Sequence, residues 1–263
     1  RQALDFISKD YIDNPYKTYN LMRSRKPILF SQTTRLHWVT KMEFAQEMLR
    51  DKRFSVDDRK YPIAEKRRKE FKKAGREIML EQFENPSMLK LDPPDHSRIR
   101  KLVQYGFTNR YITSLEPQIK KIVEDCLDKV HNQDSFDLIE DLAKPLPAIV
   151  IAKMMGLPNE DLNQFQAWSE DLLVGVGGIG TTKEDIKRSG DAYEALINYF
   201  EEIILSRKNS PGDDFIGKLI QAEEEGDKLN IKEMYGTCLL LLIAGHETTT
   251  RLIGNGIFTL FNH

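Results

Sequence analysis

Six consecutive residues, Ala244-Gly245-His246-Glu247-Thr248-Thr249, carry the densest chemistry in this 263-residue chain. A hydroxyl beside a carboxylate can accept, hold and pass a proton. In a helix, Ala244 and Thr248 are four apart and share a face, with Glu247 beside them. A Thr hydroxyl there can bond back to the carbonyl four residues earlier, which loosens the ladder and bends the helix. Gly245, lacking a side chain, lets a flat or small ligand approach the backbone. The spacing fits a hydroxyl and a carboxylate at the bottom of an apolar pocket; it equally fits a bundle helix with a polar turn. Zinc chemistry is a poor match. His246-Glu247 starts like His-Glu-x-x-His, but position 250 is Thr and the second ligand is missing.

A second cluster is Leu91-Asp92-Pro93-Pro94-Asp95-His96-Ser97-Arg98-Ile99-Arg100. Pro93-Pro94 breaks the preceding structure, and Asp95 can cap a helix that carries His96 and Arg100 on one face at i and i+4. Two cationic donors on one face suit a ligand bearing carboxylates or phosphates; the plainer alternative is a pair of surface cations. A third stretch, Gly175-Val176-Gly177-Gly178-Ile179-Gly180, has the form G-x-G-x-x-G. An amphipathic helix precedes it rather than a strand, and the next helix has its own capping box in Thr181-Thr182-Lys183-Glu184. It fits a flexible linker between two lid helices better than a nucleotide loop.

The element that must position the first cluster is a long helix from Leu229 to about Phe261. Asn230 is a good N-cap, Glu233 stands three residues on, and Leu229 and Met234 can close a staple. Thirty-odd helical residues span about 45 Å, roughly the width of a compact domain. The run Leu239 to Ala244 makes this helix apolar nearly all round, which predicts burial. Buried polar groups in its middle are costly and therefore point to function.

Ahead of it, Asn14-Pro15 opens a helix to about Arg25. Ile28 to Phe30 and His37 to Thr40 predict a hairpin around Thr33-Thr34-Arg35, followed by a helix from Lys41 to Arg50. Residues 52–85 are expected to be irregular and solvated; positions 50 to 76 hold 12 Lys/Arg against 5 Asp/Glu. Helices are expected over 114–130, 138–155, 158–174 and 182–207, with Pro211-Gly212-Asp213-Asp214 restarting the chain for a shorter one. Cys126 falls on an apolar face with Ile119, Ile122 and Val130. The fold class is mainly α with a small β-sheet near the N-terminus.

Net charge is −2 with 30% charged residues, which gives no polyanion-binding signal and argues against a nucleic-acid partner. Two cysteines suggest a reducing compartment without a disulfide framework. No apolar run reaches the ~18 residues of a membrane span, so no membrane anchor and a cytoplasmic location are expected. The chain starts without Met and stops as the long helix ends, so both ends read as cut.

Taken together, the motifs resemble the soluble bacterial kind of cytochrome P450, the haem-thiolate monooxygenases. Ala244 to Thr249 resembles that family's oxygen-binding signature, and Asp92 to Val103 resembles the helix whose His and Arg bind the haem propionates. Asn14-Pro15-Tyr16, Trp38-Val39-Thr40 and Arg53-Phe54-Ser55 resemble its first helix, first sheet and second helix end. The resemblance implies a single, incomplete P450 domain over 1–263, containing the N-terminal and central part. Haem b would be held by His96, Arg100, Phe107, Ala244, Gly245 and Thr248, with Glu247 and Thr248 catalytic as proton relay and oxygen-bonding hydroxyl. Substrate contacts would come from Met79, Leu80, Phe83, Leu172, Leu173, Val176, Leu240, Leu241 and Ile243, which suit a lipid, terpenoid, steroid or polyketide.

Also implied are O2 and a ferredoxin- or flavodoxin-type electron donor. The family's Glu-x-x-Arg helix and Phe-x-x-Gly-x-x-x-Cys loop follow the long helix and are not reached by residue 263, so the axial Cys is expected beyond it. Without thiolate ligation the electron push for O–O cleavage is lost, and residues 1–263 alone should be inactive. The rival readings are a non-catalytic helical ligand-binding protein and a peroxide-driven peroxygenase; the acid–alcohol pair argues against the second.

Overall fold

Start signals written in the sequence place most helices. The structure, a computed structural model, describes residues 9–31, 36–174, 182–224 and 226–262, which fall into two compact units, Arg1–Ser55 and Val56–His263. The hairpin turn at 33–35, the glycine-rich stretch 175–180 and the proposed substrate contact Val176 lie outside the described residues.

In the first unit, α1 (Lys9–Asp13) precedes α2 (Pro15–Arg25), which starts on its proline, and the Tyr11 and Tyr19 hydroxyls meet at 2.9 Å. The antiparallel pair β1 (Ile28–Phe30) and β2 (His37–Val39) follows, in the register Ile28↔Val39, Leu29↔Trp38, Phe30↔His37. α3 spans Met42–Arg50.

The second unit is helical apart from the two-residue strands β3 (Glu223–Glu224) and β4 (Asp227–Lys228). The stretch 52–85, expected to be irregular, instead forms α4 (Ala64–Lys73) and α5 (Glu77–Glu84). Its charges had masked the pattern: they pair within and between these helices, Lys66 with Glu70 and Arg68 with Glu65 and Glu84. α6 is Asp95–Gln104, with Pro94 at the N-cap and no side-chain cap, so Asp95 is the first helical residue and not the cap. As an acid in the first turn it still favours the helix dipole. The short α7 (Asn109–Ser114) precedes α8 (Glu116–Asp128), which is the helix expected over 114–130 and opens at Glu116-Pro117.

Residues 138–155 do not form one regular helix. A π turn, Ile139–Ala143, leads into α9 (Pro145–Met154). Pro145 and Pro147 cannot donate to the carbonyls behind them, and the Lys144 N–H reaches back five residues to Ile139 at 2.9 Å. α10 (Leu162–Val174) and the long α11 (Lys183–Arg207) pack side by side, tied by Ser189 Oγ donating to the Leu172 carbonyl at 2.8 Å. The box at the start of α11 is Thr182 with Asp185, one residue later than the sequence suggested. α12 (Phe215–Gln221) is capped by Asp214, and α13 (Ile231–Asn262) closes the chain.

The core lies among α9, α10, α11, α12 and α13, with Phe165, Leu196, Phe200, Phe215, Ile216 and Leu242 almost wholly buried. Each such side chain stabilises the fold by about 1.5–3 kcal/mol relative to exposure. Cys126 is buried in the second unit, and burial raises its thiol pKa.

Candidate active site

α13 runs for 32 residues and is started by a reciprocal cap. Asn230 Oδ1 accepts from the Glu233 N–H at 3.0 Å, and Glu233 accepts from the Asn230 N–H at 2.9 Å. Arg98 of α6 pairs with Glu233 and with Asp227, so the cationic helix is docked on the start of α13.

One side of α13 is buried through Tyr235, Cys238, Leu239, Leu242 and His246. The opposite side is open and carries Ala244, Thr248 and Leu252. Thr248 Oγ1 donates to the Ala244 carbonyl at 2.6 Å, the back-bond that the four-residue spacing predicts. Thr250 does the same to His246 at 2.9 Å. Next to Thr248, the half-buried Glu247 accepts from Arg251 Nε at 3.0 Å and Nη2 at 2.6 Å. The patch therefore combines a small side chain, a hydroxyl and a carboxylate within one turn.

His246 has a different task. It is 2% exposed, with Nδ1 3.0 Å from Ser169 Oγ on α10, and it also bonds the backbone at Lys144. Burial pushes its pKa below the usual 6.5, so it is a neutral tie between helices. Among the described residues no cluster of three potential metal ligands exists. Cys238 is fully buried and its thiol is pushed up to about 12 by burial, which makes it an inert core residue.

Gly245 meets α9. A Cβ built on it would lie 2.9 Å from Ile151 Cδ1, and one on Gly254 would lie 2.7 Å from Ile139 Cδ1. The missing side chain at 245 thus makes room for a neighbouring helix, and what Gly245 can offer a ligand is backbone alone.

On α6, His96 is half-buried and Arg100 exposed, and neither side chain has a hydrogen-bond or ion-pair partner among the described residues. Arg98, between them in sequence, is the paired one. Phe107 is 40% exposed and stacks edge-on against Phe215, with centroids 5.0 Å apart. An unengaged imidazole and guanidinium, together with an open helix face that is narrow at Ala244, suit a flat cofactor carrying carboxylates. The residues present fit haem.

Of the proposed substrate contacts, Met79, Phe83, Leu240 and Ile243 line one cavity of about 350 Å³ between α5 and α13. Its α13 wall, Gly236, Leu239, Leu240 and Ile243, follows helical spacing and continues at i+4 into Ala244 and Glu247. The cavity stripe leads to the hydroxyl–carboxylate patch. Leu80 and Leu173 are half-buried outside that lining, Leu172 is 3% exposed in the core, and Leu241 packs against the core. Gln82, Tyr193 and Arg59 also line the cavity and were not expected there. The signal for Gln82 was present: Met79, Gln82 and Phe83 stand at i, i+3 and i+4, one face of α5 once that segment is read as helical.

Comparison with known proteins bears on the same motifs. Cytochrome P450 CYP107DY1 of Priestia megaterium is 36% identical over 221 residues, covering 82% of this chain and 52% of that protein. The polyketide biosynthesis cytochrome P450 PksS of Bacillus subtilis is 32% identical over 261 residues, covering 97% and 62%. The crystal structure of P450BioI in complex with an acyl carrier protein ligated to hexadec-9Z-enoic acid matches with a TM-score of 0.82 at 31% identity, over 97% of this chain and 63% of that one. The chain covers between 42% and 64% of the length of curated relatives such as these. The cytochrome P450 family profile matches residues 27–263, a span that takes in both the cationic helix and the hydroxyl–carboxylate patch. The chain belongs to the cytochrome P450 family.

Proposed function

We propose that the whole protein is a cytoplasmic haem-dependent monooxygenase that inserts one atom of O2 into a C–H or C=C bond of an apolar substrate. A ferredoxin- or flavodoxin-type donor supplies the electrons. Haem b, when bound and ligated by a Cys outside these 263 residues, supplies the oxidising chemistry. His96 and Arg100 hold its carboxylates by charge-assisted bonds. Ala244 leaves room on the open face, and the cavity walled by Met79, Phe83, Leu240 and Ile243 keeps substrate dry and oriented. Glu247 brings protons in from its solvent side, where Arg251 holds the carboxylate until it turns. Thr248 Oγ1 receives a proton and presents it on the open face.

The observation that carries this reading is Thr248 Oγ1, back-bonded to Ala244 at 2.6 Å on the open face, one residue from a carboxylate. A ligand-binding protein has no need of that pair. The test uses the whole protein with reductant, a donor protein and isotope-labelled oxygen gas. Label in the product, together with a thiolate-type spectrum of the reduced carbon monoxide adduct, supports the proposal. Product formed only from added peroxide would favour a peroxygenase. Absence of both label and thiolate spectrum would leave a binding protein.

A further inference from the structure

Among the described residues, three buried side-chain atoms have no hydrogen-bond partner: Thr40 Oγ1, Gln82 Nε2 and Glu194 Oε1. Glu194 is charge-paired with Arg76 at 3.3 Å, and Thr40 belongs to the other unit. Gln82 is different. It is 7% exposed, it lines the cavity between α5 and α13, and its amide donor is unused there. Its neighbours are mostly apolar: Met79, Phe83, Leu239, Leu240 and Ile243. Burial raises the Tyr235 phenol to about 12, and hydrogen bonding toward the Gln82 amide acts in the opposite direction. Yet Nε2 itself has no partner within hydrogen-bond geometry, so Tyr235 is the neighbour that the test must control for. A buried donor without a partner destabilises the folded protein, so it calls for a reason.

The charged residues of the lining narrow the choice of ligand. Arg59 is held by Asp57 through two bonds of 2.8 Å and donates to the Glu84 carbonyl at 3.0 Å. Lys90 lies 3.5 Å from Asp58. These cations are already matched by carboxylates, so nothing in the lining selects an acidic ligand. A carbonyl oxygen accepts a hydrogen bond without bringing in a donor that apolar walls would leave unpaired.

We propose that Gln82 is a specificity-determining residue, donating from Nε2 to a neutral carbonyl oxygen (ketone, lactone or ester) of an otherwise apolar substrate. The inference rests on the cavity being the substrate site. A site that hydrogen-bonds one substrate group rejects the analogue lacking it far better than a purely apolar pocket does.

The test compares cyclooctanone with cyclooctane on the whole haem-loaded protein, its Gln82→Met variant and its Tyr235→Phe variant. Readouts are calorimetric affinity, displacement of one probe by the other, thermal unfolding without ligand, and the infrared stretch of isotope-labelled carbonyl. The unaltered protein should prefer the ketone by about tenfold, with the stretch lowered by the hydrogen bond. Gln82→Met should abolish the preference and the lowered stretch, keep the hydrocarbon affinity, and unfold at a higher temperature. Tyr235→Phe should keep the ketone preference. A Gln82→Met protein that still prefers the ketone overturns the role of Gln82 while leaving the cavity reading intact. So does loss of thermal stability in both variants, which would show that Tyr235 is the amide's partner. Failure of both probes to bind, or binding without mutual displacement, would sink the cavity reading and this inference with it.

Discussion

Replacing Arg98 by alanine should separate two roles that share one short helix. Arg98 and Arg100 are two residues apart on α6 and so point ~200° apart around its axis. Arg98 turns to α13, where it pairs with Glu233, whose side chain is only 14% exposed, and with Asp227 at 3.2 Å. A charge-assisted bond to a largely buried carboxylate contributes about 1.5–3 kcal/mol. The half-exposed Asp227 pair adds about 0.2–1 kcal/mol. Glu233 would keep its bond to the Asn230 N–H, which recovers part of the loss, so Arg98→Ala should destabilise by about 2 kcal/mol. Arg100 is exposed and unpaired, so Arg100→Ala should change stability by less than about 0.5 kcal/mol. Haem retention should move the other way: roughly tenfold weaker in Arg100→Ala from loss of one such bond, and nearly unchanged in Arg98→Ala. Urea unfolding of the apoprotein and the rate of haem transfer to a scavenging apoprotein, both on the whole protein, measure the two effects. Equal haem loss in both variants, or a stable Arg98→Ala that drops haem, would show that the wrong face of α6 has been assigned.

Thr248→Ala in the whole protein should consume reductant at a similar rate but release more hydrogen peroxide and less product, whereas Thr249→Ala should stay coupled; product-to-reductant ratios decide. Gly106→Ala should destabilise by about 1–3 kcal/mol, since its Cβ would lie 2.5 Å from a ring carbon of the fully buried Phe215, and a lower thermal midpoint would register it. His246 is held below 6.5 by burial among Ser169, Lys144, Glu170 and Glu247, so the unfolded chain binds its proton first. Its stabilising contribution should be full above pH 6.5 and be lost as pH falls toward the lower folded value; His246→Gln should flatten that part of the stability profile. An unchanged slope would mean that other groups carry it.

The long helix was legible because its information is local. Asn230 and Glu233 three residues apart declare a capped start, and Ala244 and Thr248 four apart declare the back-bond. α4 was hidden because Lys and Arg dominate its composition and one of the acids that neutralise it, Glu84, lies 16 residues beyond Arg68. α5, which has no Lys or Arg, was hidden only by being read together with that basic stretch. The division between Arg98 and Arg100 was visible as helix angle, but the partner of Arg98 lies 135 residues away. The same limit applies to His246. Sequence marks a polar residue in an apolar run, and only packing shows that Ser169 of another helix receives it. Gln82 was missed through the helix that was missed.

Behind α13, Ile151 and Ile139 press into the space above Gly245 and Gly254 while His246 is latched to Ser169. These contacts act as keys in a shaft, fixing the helix's azimuth from the rear. A roll of one residue, ~100°, would carry Thr248 off the open face and bring Thr249 or Glu247 round. The orientation of the Thr248 hydroxyl is therefore indexed by residues on the rear of the helix, away from the open face. Enlarging Ile151 or removing Ser169 would turn the helix from behind, and under the proposed function would redirect the Thr248 hydroxyl without a change at Met79, Phe83, Leu240 or Ile243.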